Sequence, residues 1–361
     1  MFVLIIISQI LMYLCFSFIL GSFLLSLVPK THRPNINFPQ KGLIAGIAGI
    51  AIFSFFPVLE IILYLAPRIG VLEALQSILL TFEVGKAWVF TLIISIILLI
   101  FVCLFDYQQK AINSYIGILF ILLLILSIGW TSHASSIDHV WGFISDTLHL
   151  TAVSVWVGIL IVISWFSTNH VNWLNFLKWF TPVAIACFGS TIITGLILMN
   201  FVVPEYTNSW LVPYGQALLI KHLLIIPLLL YAVINSIFIK KRLHDSTDFN
   251  PRPWAKMESI IILLIFSATA VLGQESPPKE SGVLPDNVSN LFDFIYNGQA
   301  QQEMTVQLAL NPTSASFIAL AILFAMLMVI SFLKKAPAIM SFLMSVLLVV
   351  CAYFSLMLSI V

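Results

Sequence analysis

Ten apolar runs, each about as long as a bilayer is thick, set what this chain can fold into. They lie at roughly 2–29, 42–66, 84–105, 112–130, 145–167, 176–203, 215–240, 257–274, 315–333 and 337–360. The hydrocarbon core takes about 20 apolar residues of helix. In lipid every backbone N–H and C=O must find its partner within the protein, which leaves helices or closed barrels as spanning structures. Unbroken runs of this length read as helices. Composition agrees: 61% of the residues are hydrophobic and 9% charged, against about 25% charged in a soluble domain. The expected fold class is all-α, a polytopic transmembrane bundle of about ten helices. The stretch 67–83, interrupted by Pro67, Arg68, Glu73 and Glu83, reads as an interfacial helix.

Orientation follows from where the basic residues fall, because short cytoplasmic loops carry the excess of Lys and Arg. The loops after odd-numbered runs hold Lys30, Arg33, Lys41, Lys110, Lys178, Lys240, Lys241, Arg242, Arg252, Lys256, Lys334 and Lys335, which is 12 of the 16 basic residues. Those loops are expected in the cytoplasm and both termini outside it. The first run has no basic residue before it, and Lys30 follows it, the reverse of a cleaved signal peptide. The segments 131–144, 204–214 and 275–314 are then extracytoplasmic. The last holds Glu275, Glu280, Asp286, Asp293 and Glu303 against Lys279, so it reads as an acidic outer loop. Its alternation at 304–310 suggests a short strand.

Several function classes drop out. The net charge is +1 and no basic run lies outside the loops that topology explains, so nucleic acid is not an expected partner. No GxxxxGK[ST] motif occurs, and no loop has room for an ATPase domain. A catalytic role is not expected, and any passage through the bundle would be facilitated or ion-coupled. The cysteines Cys15, Cys103, Cys187 and Cys351 lie inside apolar runs without a CxxC pair, so no disulfide framework is expected.

The chemistry-bearing residues collect at the outer face. His133 reads as the end of the fourth helix, His149 as the start of the fifth, with Asp138 and His139 between. Asp146 precedes His149 by three residues, which puts both on one helical face, and Trp156 continues it. A short connection makes the two helices antiparallel neighbours, so His133 and His149 can meet. Imidazole suits copper, zinc, iron and nickel, and carboxylate can complete the shell or orient the other ring nitrogen. The expected metal set is His133, His149 and Asp146, with His139 accessory. A pathway inward would pass Trp156, Thr194, Met199 and His222. Lys221, Glu258 and Glu60 are intramembrane or interfacial charges, which mark function by default. Lys221 either snorkels to the interface or pairs with Glu60 or Glu205. Glu258, near Lys256 and Arg252, reads as a salt-bridge partner or an ion station. Facing histidines could equally ligate haem, so haem is the alternative cofactor to copper.

These residues resemble the membrane domain of the copper resistance protein D (CopD) family. The segment Ser132-His133-Ala134 is similar to its Gly-His-Ala, with Ser in place of Gly. Leu148-His149-Leu-Thr-Ala-Val-Ser-Val-Trp156-Val-Gly158 resembles its His-Leu to Trp-x-Gly signature. Thr194-Gly195, Tyr214-Gly215 with Lys221, Asn235, Glu258, Pro277-Pro278 and the opening Glu83-Val-Gly85-Lys86-Ala-Trp88 follow in the family's pattern. His222 is not a usual position of it. The resemblance covers roughly 80–275 and implies an eight-helix core region, two added C-terminal helices and copper handling. The expected division is 1–79, 80–275, the acidic loop 276–314 and a C-terminal hairpin 315–361. The expected function is copper transport across the cell (inner) membrane, as uptake. No copper-binding β-domain precedes the first helix, so capture falls to the acidic loop or a separate extracytoplasmic copper-binding protein. A haem-binding membrane cytochrome and an accessory protein that loads a cuprous oxidase are the alternatives.

Overall fold

The computed structural model describes residues 1–37, 40–245, 249–278, 288–296 and 305–361. Among them, ten helical stretches are long and apolar enough to cross a membrane. The chain is a multi-pass membrane protein, and its lipid-facing surface is the reason so many large apolar side chains stand exposed. It divides into two units, Met1–Phe201 and Val202–Val361.

The first unit holds α1 (Phe2–Leu27), α2 (Gln40–Phe53), α3 (Phe55–Ile69), α4 (Val71–Thr81), α5 (Glu83–Leu104), α6 (Ala111–Trp130), α7 (His133–Ile137), α8 (His139–Phe166) and α9 (Trp173–Val202). α2 and α3 form one interrupted span. The break at Ser54 has a local cause: Pro57 has no N–H to give and its ring crowds the carbonyl of Phe53. The short apolar α4 occupies the stretch read as interfacial.

α1 packs along α8 at backbone contact. A Cβ added at Gly21 would lie 2.2 Å from the carbonyl carbon of Gly158, and one at Gly158 would lie 2.0 Å from the carbonyl oxygen of Ser17. Buried Ser17 and Ser154 continue this seam of small residues. Without a hydrophobic drive between helices in lipid, such close approach is what small residues supply. Around it packs an apolar core that includes Phe16, Phe23, Ile47, Leu98, Ile121 and Ile125. Hydroxyls bridge neighbouring helices at Ser26–Ser114 (2.6 Å) and Thr91–Ser127 (3.0 Å).

One end of this unit is stitched. The loop after α1 meets the α8–α9 turn through an antiparallel bridge, Ile36 with Ser167. The Asn172 and Asn175 amides donate to the carbonyls of Lys30 and Thr31 at 3.0 and 3.1 Å, and the Trp179 indole to that of His32 at 2.8 Å. Asn172 takes a left-handed φ of 63°, which asparagine tolerates well. Arg33 is buried and donates to the carbonyl of Val28 at 3.0 Å. Burial pulls its pKa down from the ordinary value.

The second unit holds α10 (Pro213–Val233), a π-helical turn (Ile234–Phe238), α11 (Ile239–Asp245), α12 (Arg252–Leu272), α13 (Asn290–Tyr296), α14 (Pro312–Leu333) and α15 (Ala338–Met357). α10 packs on α12 and α15. Gln216 ties the unit internally: its amide donates to the carbonyl of Trp210 at 2.6 Å, and the Tyr353 hydroxyl donates to its Oε1 at 2.5 Å.

Two expectations change. The fifth spanning helix starts at His139 rather than near 145, because Asp138 caps it. The short strand expected at 304–310 is a single bridge, Leu308 with Ile360. Its partner strand can form only past Met357, where α15 ends, so no ladder builds. Residue 304 lies outside the described residues, as do Lys279, Glu280, Asp286 and Glu303 of the acidic loop.

Candidate functional site

The histidine stretch is built by two caps. The Ser132 hydroxyl accepts the N–H of Ser135 at 3.2 Å and starts the five-residue α7. The Asp138 carboxylate accepts the N–H groups of Val140 and Trp141 at 3.1 and 2.9 Å and starts α8. Capping commits this carboxylate to backbone donors, which leaves it a structural task rather than the ring-orienting one.

The early start of α8 moves His149. Ten residues past the start of the helix, it sits about 16 Å along the axis from Asp138, at about 1.5 Å per residue. It is part-buried and faces α9, where its Nδ1 lies 3.0 Å from the Thr194 hydroxyl. That hydroxyl donates to the carbonyl of Ser190 at 2.8 Å, one turn back in its own helix. A contact at one ring nitrogen fixes the orientation of the imidazole, as hydrogen bonds do for metal-ligating histidines. Trp156, two turns on, is buried with its ring edge-on to Phe188 of α9 at 6.3 Å. Among the described residues its indole N–H has no hydrogen-bond partner. A cavity of about 470 Å³ opens between α8 and α9 beside the pair, lined by Trp141, Leu148, Ile185, Ser190 and Thr194 among others.

The other expected ligands are placed differently. His133 heads α7 and is exposed. His139 is exposed and packs edge-on against Trp130 at 4.7 Å. Trp130 in turn donates to Glu83 at 3.1 Å, and Glu83 pairs with Lys86 at 3.2 Å. Asp146, one turn before His149, acts electrostatically on Tyr13 of α1. Among the described residues no three His, Cys, Asp or Glu side chains gather closely enough to hold a metal ion. Met199 is part-buried on α9, and Glu60 is exposed on α3.

In the second unit, His222 of α10 meets a residue the sequence did not single out. The Tyr206 hydroxyl lies 2.7 Å from its Nδ1, and the rings stand 5.4 Å apart. No spacing rule connects a loop tyrosine to a histidine 16 positions later. Lys221 is part-buried beside it. Glu205 accepts from the Asn208 amide. Glu258 is buried in α12, and its carboxylate accepts from the Asn235 amide in the π-helical turn. The interfacial salt bridge read for Glu258 is absent among the described residues, where an amide takes that place.

Residues 174–272 match the copper resistance protein D family. The similarity to that family covers this segment of the chain. It contains Thr194, Met199, Lys221, His222, Asn235 and Glu258, while His133, His139, Asp146, His149 and Trp156 precede it. The copper transport protein CutJ of Bacillus subtilis (strain 168) is 26% identical over 170 residues, 45% of this chain and 31% of that protein. The match thus spans about a third of that relative's length. No solved structure matches the chain. Thr194 is therefore the point where the copper resistance protein D segment meets the histidine of α8.

Proposed function

We propose that this protein carries copper inward across the cell membrane, with His149 as a ligand on the path. The observation that supports the reading is the hydrogen bond between His149 Nδ1 and the Thr194 hydroxyl, which orients the ring between α8 and α9. A nitrogen so oriented suits copper among the divalent metals. The copper resistance protein D match and the similarity to a copper transport protein point to the same metal. His133 and Asp146, with His139 as accessory, form the outer capture residues, supplied by the acidic loop or by an extracytoplasmic copper-binding protein. Trp156, Thr194 and Met199 line the way in along the first unit, with Glu60 as a charge along it. Both termini lie outside under this orientation, and no catalytic step is assigned.

Copper content of the purified protein tests this. The wild type should retain copper, and His149→Ala should lose most of it while remaining folded. Equal copper in the two would sink the site. A Soret band in the wild type that disappears in His149→Ala would make the histidine a haem ligand instead. Cells lacking the gene should hold less cytoplasmic copper. Normal copper with a failing cuprous oxidase would make the protein an accessory loader.

A further inference from the structure

Glu258 is built unlike any other carboxylate described. It lies seven residues into α12 and is 6% exposed. It makes no ion pair with a described residue. Among the described residues its hydrogen-bond donor is the Asn235 amide nitrogen. A carboxylate taken out of water without a cation is costly, and such groups bind a proton or a cation instead.

The partner is suited to both protonation states. An amide carries two donors on nitrogen and an acceptor on oxygen. With its nitrogen towards Glu258, Asn235 serves the carboxylate. Turned by half a rotation, its oxygen serves the O–H of the acid. Its Oδ1 is buried and has no hydrogen-bond partner among the described residues. That unmet acceptor is what a protonated Glu258 would satisfy. Asn235 also sits in the π-helical turn Ile234–Phe238, and π-bulges recur at functional sites because they widen the helix locally.

The surrounding groups do not supply a competing charge. α12 packs on α10 and α15. From α10 the titratable neighbour is Tyr231, fully buried and electrostatically coupled to Glu258. From α15 come the hydroxyls of Ser341 and Ser345 beside Tyr231. On its own helix, Lys256 and Arg252 lie two and six positions earlier.

We infer that Glu258 and Asn235 form a proton-binding site, and that the proton it carries is the coupling ion of the transport cycle. The proton is taken from water by the carboxylate and returned to water on the other side, with the Asn235 amide reversing each time. The coupling rests on the copper-transport reading above. The proton site itself does not.

Two measurements separate them. Infrared difference spectra of the lipid-reconstituted protein, stepped across the neutral pH range, should show the carbonyl band of a buried carboxylic acid rising as pH falls. Isotope-labelled glutamate should shift that band in the wild type, Glu258→Gln should lack it, and Asn235→Leu should displace its midpoint. In vesicles loaded to a fixed pH, an imposed pH gradient should change the wild-type rate of copper uptake several-fold. In Glu258→Gln the rate should ignore the gradient while bound copper stays at the wild-type level. A band that persists in Glu258→Gln, or that answers to sodium and not to pH, overturns the proton site. Gradient-dependent uptake that persists in Glu258→Gln overturns the coupling alone. Absence of any copper uptake, with the infrared band intact, overturns the transport reading and leaves the proton site standing.

Discussion

The His149–Thr194 and Glu258–Asn235 pairs both place a polar contact inside apolar helices, and they are held in opposite ways. Thr194 is tied to its own regular helix through the Ser190 carbonyl, so its oxygen meets His149 from one fixed direction. Asn235 lies in a π-helical turn, where the backbone is locally widened, and its amide can present either end. One arrangement holds a ring in a set direction, as a metal ligand requires. The other tolerates two charge states, as a proton carrier requires. Polarity in the membrane is not one kind of feature, and the regularity of the supporting helix distinguishes the two.

The largest expected effect bears on what keeps the first pair rigid. Gly158→Leu should break the α1–α8 seam, since even a Cβ would lie 2.0 Å from the Ser17 carbonyl oxygen. Overpacking of this kind costs about 3 kcal/mol or more when backbone cannot move away. Thermal denaturation in detergent should show a large fall in midpoint, and an unchanged midpoint would mean that α8 is not anchored there. Next, Thr194→Val keeps the shape and removes the hydroxyl. Loss of such a partner weakens metal binding by about 10–100-fold, which copper titration of the folded variant should show. Full affinity would remove the distinction between a fixed and an adaptable pair. The smallest effect is expected from Asp138→Ala. It should lower stability by about 1 kcal/mol through loss of the α8 cap and leave copper affinity alone, because the cap is three turns from His149.

The ten spans were legible because continuous apolar length is a direct physical requirement of the bilayer. The site was legible in residue type and much less in partnership. The start of α8 is not marked by apolar length, because the Asp138 cap that begins the helix acts through geometry. His149 was read against His133, its neighbour through a short loop. Its observed partner comes from α9, 45 positions on, and depends on how two helices are rotated about their axes. Glu258 was read against Lys256 and Arg252, close in sequence. A π-helical turn, which no periodicity announces, brings Asn235 to it from 23 positions away.

The stitched loop at 28–37 has a mechanical consequence for the His149 pair. It fastens the turn between α8 and α9, so the two helices are joined at that end, and α8 is held along α1 as well. His149 lies 17 residues before Phe166, the last residue of α8, a lever of about 25 Å at about 1.5 Å per residue. A rotation of α9 by about two degrees at the fastened turn would change the His149–Thr194 separation by about 1 Å. That is enough to release its hydrogen bond to Thr194 and widen the fissure beside it, with no change in either helix.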